Sequence, residues 1–204
     1  RTFGARSYIF HEGDPGNAVL LVEAGLLRID RTTASGRIAL LDLAIRGSLI
    51  GELSVIDGVP RSATLSTVTE SSVRFIPGPV FEALLASDSA IQEALLAQLS
   101  RRLRALSTQF LETSTMNAPA RIAASLVRLV EIEQALGRLD EGQLSGAIDL
   151  QLLINQQELG QWSGLTREGA VKGLTALRTI GLIETGRKHV RITDIKKLER
   201  TARD

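Results

Sequence analysis

Cysteine is absent from all 204 residues. That excludes disulfides, cysteine-ligated zinc, iron–sulfur clusters and cysteine nucleophiles, and it fits a cytoplasmic protein. Histidine is almost absent. His11 and His189 are the only two and lie far apart in sequence. A metalloenzyme or a histidine-dependent catalyst would have little to work with, so the chain reads as a non-enzyme without a metal. No apolar run approaches the length of a membrane span, and no signal peptide is visible. The sequence opens on Arg1 rather than Met and reads as trimmed there.

A global electrostatic field is missing too, since the formal net charge is +1. Its distribution is more informative. Residues 1–88 hold 8 Lys/Arg against 10 Asp/Glu, net −2, whereas residues 167–204 hold 10 against 5, net +5. The basic end is where a nucleic-acid partner would be sought. Apolar residues make up 44%, enough for a real core in one large domain or two small ones.

Residues 1–76 read as short strands between turn signals. The runs are 8–10, 19–22, 26–31, 38–43 and 73–76, with Val68 marking one more. Gly13, Gly25, Gly36, Gly47 and Gly58 recur every 11 or 12 residues, one turn per hairpin arm. This pattern argues for an all-β barrel or sandwich. Pro77 and Pro79 close the region.

Helical character follows. Residues 80–86 form a short apolar helix, and Ser87-Asp88-Ser89 caps the next. From Ser89 to about Thr115 there is no glycine or proline, and Leu96, Leu99, Leu103, Leu106 and Phe110 follow a 3, 4, 3, 4 spacing. That is a coiled-coil seam, with Arg101, Arg102, Arg104 and Gln109 on other faces. Two such helices would pair into a twofold dimer. The other reading is a helix lying on its own β domain. Asn117-Ala118-Pro119 marks a hinge, with Asn117 as cap and Pro119 in the first turn of a helix over 120–136. On that helix Ile122, Leu126, Leu129, Val130 and Leu136 share one side. Residues 137–146 form a polar loop. The organisation is therefore 1–88, 89–116 and 117–204.

The C-terminal part reads as a helix-turn-helix. Asn155-Gln156-Gln157-Glu158 starts a helix with Glu158 at the capping-box position, burying Leu159 and Trp162. Ser163-Gly164-Leu165 turns, and Thr166 caps a second helix to about Ile180. Val171, Leu174 and Leu177 are expected inside, with Arg167, Glu168 and Lys172 outside near the N-terminus, where this motif reads base edges. Gly169 costs this helix about 1 kcal/mol against alanine. Residues 182–185 and 189–192 flank Gly186-Arg187-Lys188 as a two-stranded wing, whose two cations suit phosphates.

One further stretch, Gly51-Glu52-Leu53-Ser54 through Pro60-Arg61-Ser62-Ala63-Thr64, mixes a glycine turn, a carboxylate, an arginine and hydroxyls. Glycine lets backbone N–H groups approach a ligand. Arginine suits phosphate oxygens, and a carboxylate can accept from a sugar hydroxyl. The same composition also suits an ordinary polar turn.

Taken together, these segments resemble the cyclic-AMP receptor protein/FNR-type (Crp/Fnr) regulators along essentially the whole chain. Three motifs carry the resemblance. Ile9-Phe10-His11-Glu12-Gly13-Asp14 is similar to the family's first β-roll turn. Ile50-Gly51-Glu52-Leu53-Ser54 with Pro60-Arg61-Ser62-Ala63-Thr64 is similar to its phosphate cassette. Gln157-Glu158-Leu159-Gly160 with Gly164-Leu165-Thr166-Arg167-Glu168 is similar to its DNA reader.

The resemblance implies an α+β protein: a double-stranded β-helix (jelly-roll) cyclic-nucleotide-binding domain, a long dimerisation helix and a winged helix-turn-helix. It implies cyclic AMP as effector, with Glu52 on the ribose and Arg61 and Ser62 on the cyclic phosphate. Gly51, Leu53, Ala63 and Ser107 would complete that site. Thr166, Arg167, Glu168, Lys172, Arg187 and Lys188 would meet double-stranded DNA. The implied partners are a second copy of the chain, DNA and RNA polymerase. Leu106-Ser107 stands where the cyclic-AMP-binding branch has Thr-Ser, so a regulator acting without a nucleotide, or with another effector, is the alternative. Cluster-based oxygen sensing is excluded by the missing cysteines.

Overall fold

The computed structural model describes residues 1–204 except 35, 37, 141, 143–145, 153, 187, 188 and 204. The chain forms two compact units, Arg1–Ser107 and Thr108–Asp204.

In the first unit two four-stranded antiparallel sheets face each other. One has the order β1 (Thr2–Phe3), β8 (Ser71–Pro77), β3 (Ala18–Ala24), β6 (Leu49–Ile50). The other runs β2 (Tyr8–Phe10), β7 (Thr64–Thr67), β4 (Leu27–Thr32), β5 (Ile38–Ala44). Inward side chains of both, Leu20, Val22 and Val73 against Leu27, Ala44 and Leu65, make one core. Alternation along the strands puts every second residue there. All five recurring glycines adopt positive φ, as turns between strands require. Val68 lies just past β7 rather than in a strand, because Thr67 is the last residue that pairs with β4.

A second cluster seats the helices. Val19, Val55, Phe81 and Leu95 are buried together, with Leu49, Ile76, Leu85 and Leu99 packed on them. They come from β3, from a five-residue helix α1 (Glu52–Ile56), from α2 (Gly78–Ser87) and from the long α3 (Ser89–Thr115). Helix α2 begins at a proline-bearing first turn, and Asp88 accepts from the Ala90 N–H at the head of α3. Gln98 ties α3 to β6 by bonding both the N–H and the carbonyl of Leu49. Leu99 thus packs on its own unit, a correction to the expected seam. Leu96, Leu103, Leu106 and Phe110 remain exposed in the single chain.

The second compact unit, Thr108–Asp204, includes the last turns of α3. The last turns of α3 are tethered to the following helices: Glu112 accepts two bonds from Arg128, at 2.8 and 2.9 Å, and Gln109 donates to the Trp162 carbonyl at 2.9 Å. Asn117 does cap a helix, α4 (Ala118–Ala135), by accepting from the Ala120 N–H. Helices α5 (Gln156–Trp162), α6 (Arg167–Thr179) and α7 (Ile195–Thr201) pack with α4 around Ile122, Leu126, Leu159 and Leu177.

The wing is a three-stranded sheet, not two: β10 (Ile183–Gly186), β11 (His189–Ile192) and β9 (Ile148–Gln151). Strand β9 alternates buried and exposed residues over only four positions, too short a run to separate from a loop by pattern. Among the described residues, no helix is long and apolar enough to cross a membrane.

Candidate nucleotide site and DNA interface

The cassette folds as a helix start facing a strand start. Gly51 sits in the left-handed region at φ 82 and opens α1, and Arg61 lies three residues before β7. Arg61 is 5% exposed and Glu52 is 1% exposed. The Arg61 fork joins the head of α1 to β3, donating from Nη1 to Gly51 O at 2.8 Å and from Nη2 to Ala18 O at 2.5 Å. Its guanidinium carbon lies 4.5 Å from the Phe10 ring centroid. Burial pulls its proton affinity down, opposed by the negative charges of Glu52 and Asp14.

This arrangement revises the role of Gly51. A Cβ there would meet Arg61 Nη1 at 2.1 Å. In this conformation the missing side chain makes room for the arginine itself.

Glu52 is held by a residue that sequence spacing did not single out. Arg102 on α3 reaches back 50 positions and donates from Nη1 to Glu52 Oε1 at 2.5 Å, and from Nη2 to Leu49 O at 2.7 Å. The coiled-coil pattern places Arg102 only on a face away from the seam. Periodicity along one helix carries no information on a partner in another element.

Arg61 therefore has no carboxylate hydrogen-bonded to it, and its buried Nε lacks any partner. A buried guanidinium bonded only to neutral carbonyls has the chemistry to pair with an anion. Of the remaining candidates, Ala63 is buried, and Ser62, Leu53 and Ser107 are exposed. Ser107 donates to the Leu103 carbonyl one turn back.

In the second unit the helix-turn-helix is built as its capping residues dictate. Asn155 and Glu158 form a reciprocal capping box at the head of α5. Thr166 caps α6 by accepting from the Gly169 N–H at 3.1 Å. Gly169 is therefore in the first turn with its donor satisfied, and the helix runs through it unbroken. Gly160 lets α5 and α6 approach, since a Cβ there would lie 2.6 Å from the Ala170 Cβ. Leu159 and Trp162 are buried as expected.

Arg167, Glu168 and Lys172 are exposed at the N-terminal end of α6, next to Thr166. Val171 is not inside: it is 49% exposed, and the buried face is Ala170, Gly173, Leu174 and Leu177. The i, i+3, i+4, i+7 set starts at Ala170, and small residues at 170 and 173 hide it from a reading that weights only large apolar side chains. Arg187 and Lys188 lie outside the described residues. His189 is in β11, 3.0 Å from Asp149 Oδ1 on β9.

Comparison with known proteins agrees with this layout. A model described as "Cyclic nucleotide-binding domain" matches residues 1–88, and one described as "Crp-like helix-turn-helix domain" matches residues 120–201. A "CRP-like cAMP-activated global transcriptional regulator" of Mycobacterium tuberculosis is 31% identical over 195 residues, covering 96% of this chain and 84% of that one. A "Cyclic AMP receptor protein" of Thermus thermophilus is 30% identical, covering 95% and 83%. Among solved structures, the "c-di-GMP Responsive Global Regulator CLP" of Xanthomonas campestris superposes with a TM-score of 0.80 at 25% identity, covering 95% of this chain and 92% of that one. With a two-sheet cyclic nucleotide-binding domain, a long helix and a Crp-like helix-turn-helix in order, the chain belongs to the Crp/Fnr family of transcriptional regulators and is not an enzyme.

Proposed function

We propose that the protein is a homodimeric, sequence-specific DNA-binding regulator controlled by cyclic AMP bound in its β-roll. The observation that carries the reading is the buried Arg61, whose guanidinium is bonded to carbonyls alone and whose Nε is unpartnered. A cyclic phosphate entering there would supply the missing anion. Its diester oxygens would take the fork from the two carbonyls, with Ser62 adding a hydroxyl. Glu52 would exchange its Arg102 contact for a ribose hydroxyl or share it. Gly51, Leu53, Ala63 and Ser107 complete the proposed pocket.

Two features support the rest. Leu96, Leu103, Leu106 and Phe110 form an unpartnered apolar stripe on α3, which a second copy would cover. Arg167, Glu168 and Lys172 share an exposed helix end, with Thr166 as its cap, and suit guanine, cytosine N4 and phosphate or guanine respectively. We assign Arg187 and Lys188 to phosphate contacts by sequence alone. RNA polymerase is the expected protein partner and the cytoplasm the expected location.

A second reading keeps the DNA reader and drops the nucleotide. It rests on the closure of the site: Arg61 bonded to Gly51 O and Ala18 O, Glu52 bonded to Arg102, and Leu106 offering no hydroxyl to a base. A thermal-shift panel of cyclic AMP, cyclic GMP and cyclic di-GMP separates the two. A ligand at 100 times its dissociation constant adds about 2.7 kcal/mol. A rise in Tm with cyclic AMP alone supports the first reading, and no rise with any of the three supports the second.

A further inference from the structure

The outward face of α6 carries an apolar residue that the charge-based assignment of the DNA interface leaves unused. Val171 is 49% exposed, four residues after Arg167 and three after Glu168. Neighbours at those spacings stack on one side of a helix, so Val171 lies one turn below both. Lys172 follows it directly. A lone exposed valine needs no special reason on an ordinary surface. This one lies among three charged side chains, and it lines a groove of about 430 Å³ together with Leu152, Ile154, Gln157, Arg167 and Gly186. Gly186 belongs to the wing strand β10 and Gln157 to α5. Wing, first helix and second helix of the DNA reader therefore converge beside the Val171 side chain.

We propose that Val171 is a specificity-determining residue that reads a thymine through its 5-methyl group. The inference rests on the DNA-binding reading given above. Valine has neither donor nor acceptor. Placed against the major-groove edge, it would leave the N7, O6, O4 or amino groups of other bases without their water and without a partner. The thymine methyl is the apolar feature of that edge. Arg167 to Val171 spans about 6 Å along the helix axis, more than the rise of about 3.4 Å per base pair, so the two side chains can reach different base steps. Arg167 and Glu168 would then fix hydrogen-bonded positions, and Val171 would add a neighbouring position selected by shape and apolarity.

The test uses the full chain and the duplex recovered from a randomised pool, with and without cyclic AMP. Each thymine of the recovered site is replaced in turn by uracil, which removes only the methyl. The wild type is expected to bind about fourfold more weakly at one thymine per half-site, the equivalent of one buried methyl. Val171→Ala, at an exposed helical position where alanine is well tolerated, is expected to bind the thymine and uracil duplexes equally. Circular dichroism of that variant checks that the helix is retained. Indifference of the wild type to every thymine-to-uracil change overturns the proposal, as does discrimination that survives in Val171→Ala. If no sequence is recovered from the pool, the DNA-binding reading falls together with it. Specific binding without methyl dependence overturns the Val171 assignment alone.

Discussion

Replacing Arg61 by methionine separates its contacts within the fold from the anion-holding role proposed for it. Arg61→Met keeps an unbranched stem of similar length over Phe10 but removes the charge and both carbonyl contacts. Two hydrogen bonds from a charged donor are lost, each worth about 1.5–3 kcal/mol. Against that, the variant no longer buries a cation that lacks a hydrogen-bonded carboxylate, a desolvation penalty of several kcal/mol in order of magnitude, which the nearby charges of Glu52 and Asp14 only partly offset. The terms oppose each other, so stability is expected to move by no more than about 2 kcal/mol. Anion binding has no such compensation. Removing one partner of a buried charge pair costs about 2–5 kcal/mol, so cyclic AMP affinity should fall by roughly 30-fold or more.

Calorimetric titration with cyclic AMP and urea unfolding of both proteins would measure the two effects separately. Arg61→Lys is the companion variant: it restores charge without the planar fork and is expected to recover only part of the affinity. Wild-type affinity in Arg61→Met would refute the assignment of Arg61 to the phosphate. A large loss of stability with unchanged affinity would make the arginine purely structural.

Three other perturbations follow from the same contacts. Arg102→Ala leaves Glu52 buried without its charged partner and is expected to destabilise the protein by about 3 kcal/mol, the lower end for a broken buried pair because the Arg102 side chain is 28% exposed. Adding Glu52→Gln should restore most of that loss in urea unfolding, and failure to do so would deny the pair its structural role. Leu103→Asp puts a charge into the exposed stripe of α3 without touching the buried core. Light scattering should then find a folded monomer, and a persisting dimer would place the interface elsewhere. Glu133, buried on α4, has its proton affinity raised by desolvation, which the Arg138 charge only partly offsets. The folded state then binds a proton that the unfolded state releases, so stability falls as pH rises from the unfolded value through the raised folded one. Glu133→Gln should remove that decline from a pH series of unfolding midpoints.

The features legible in the sequence were those with local causes. The bounds of α3 followed from the absence of glycine and proline between Ser89 and Thr115, and the heads of α4, α5 and α6 from Asn117, Asn155 and Thr166, each of which accepts the expected backbone N–H. Turn glycines were likewise readable, because positive φ is a property of single residues. What the sequence hid has non-local causes. Arg102 meets Glu52 only once α3 has docked on β6. Strand β9 exists because β11 offers it an edge, Val190 pairing with Leu150. Leu99 leaves the seam because Leu95 and Phe81 form a local core beside it. Val171 was assigned inside by counting large apolar residues, whereas the buried stripe of α6 is marked by Ala170 and Gly173. The cassette lies between these cases: its residue types were readable, but the inward turn of Arg61 against Gly51 was not.

The most direct test of nucleotide control is the affinity of the protein for its selected DNA site, measured by fluorescence anisotropy with and without saturating cyclic AMP. A ligand shifts such an equilibrium only through its differential affinity for the two states, and a coupling of about 1–3 kcal/mol would tighten DNA binding roughly 5- to 150-fold. That gain should vanish in Arg61→Met. Equal affinity with and without cyclic AMP in the wild type would contradict nucleotide control and leave a regulator that reads DNA on its own.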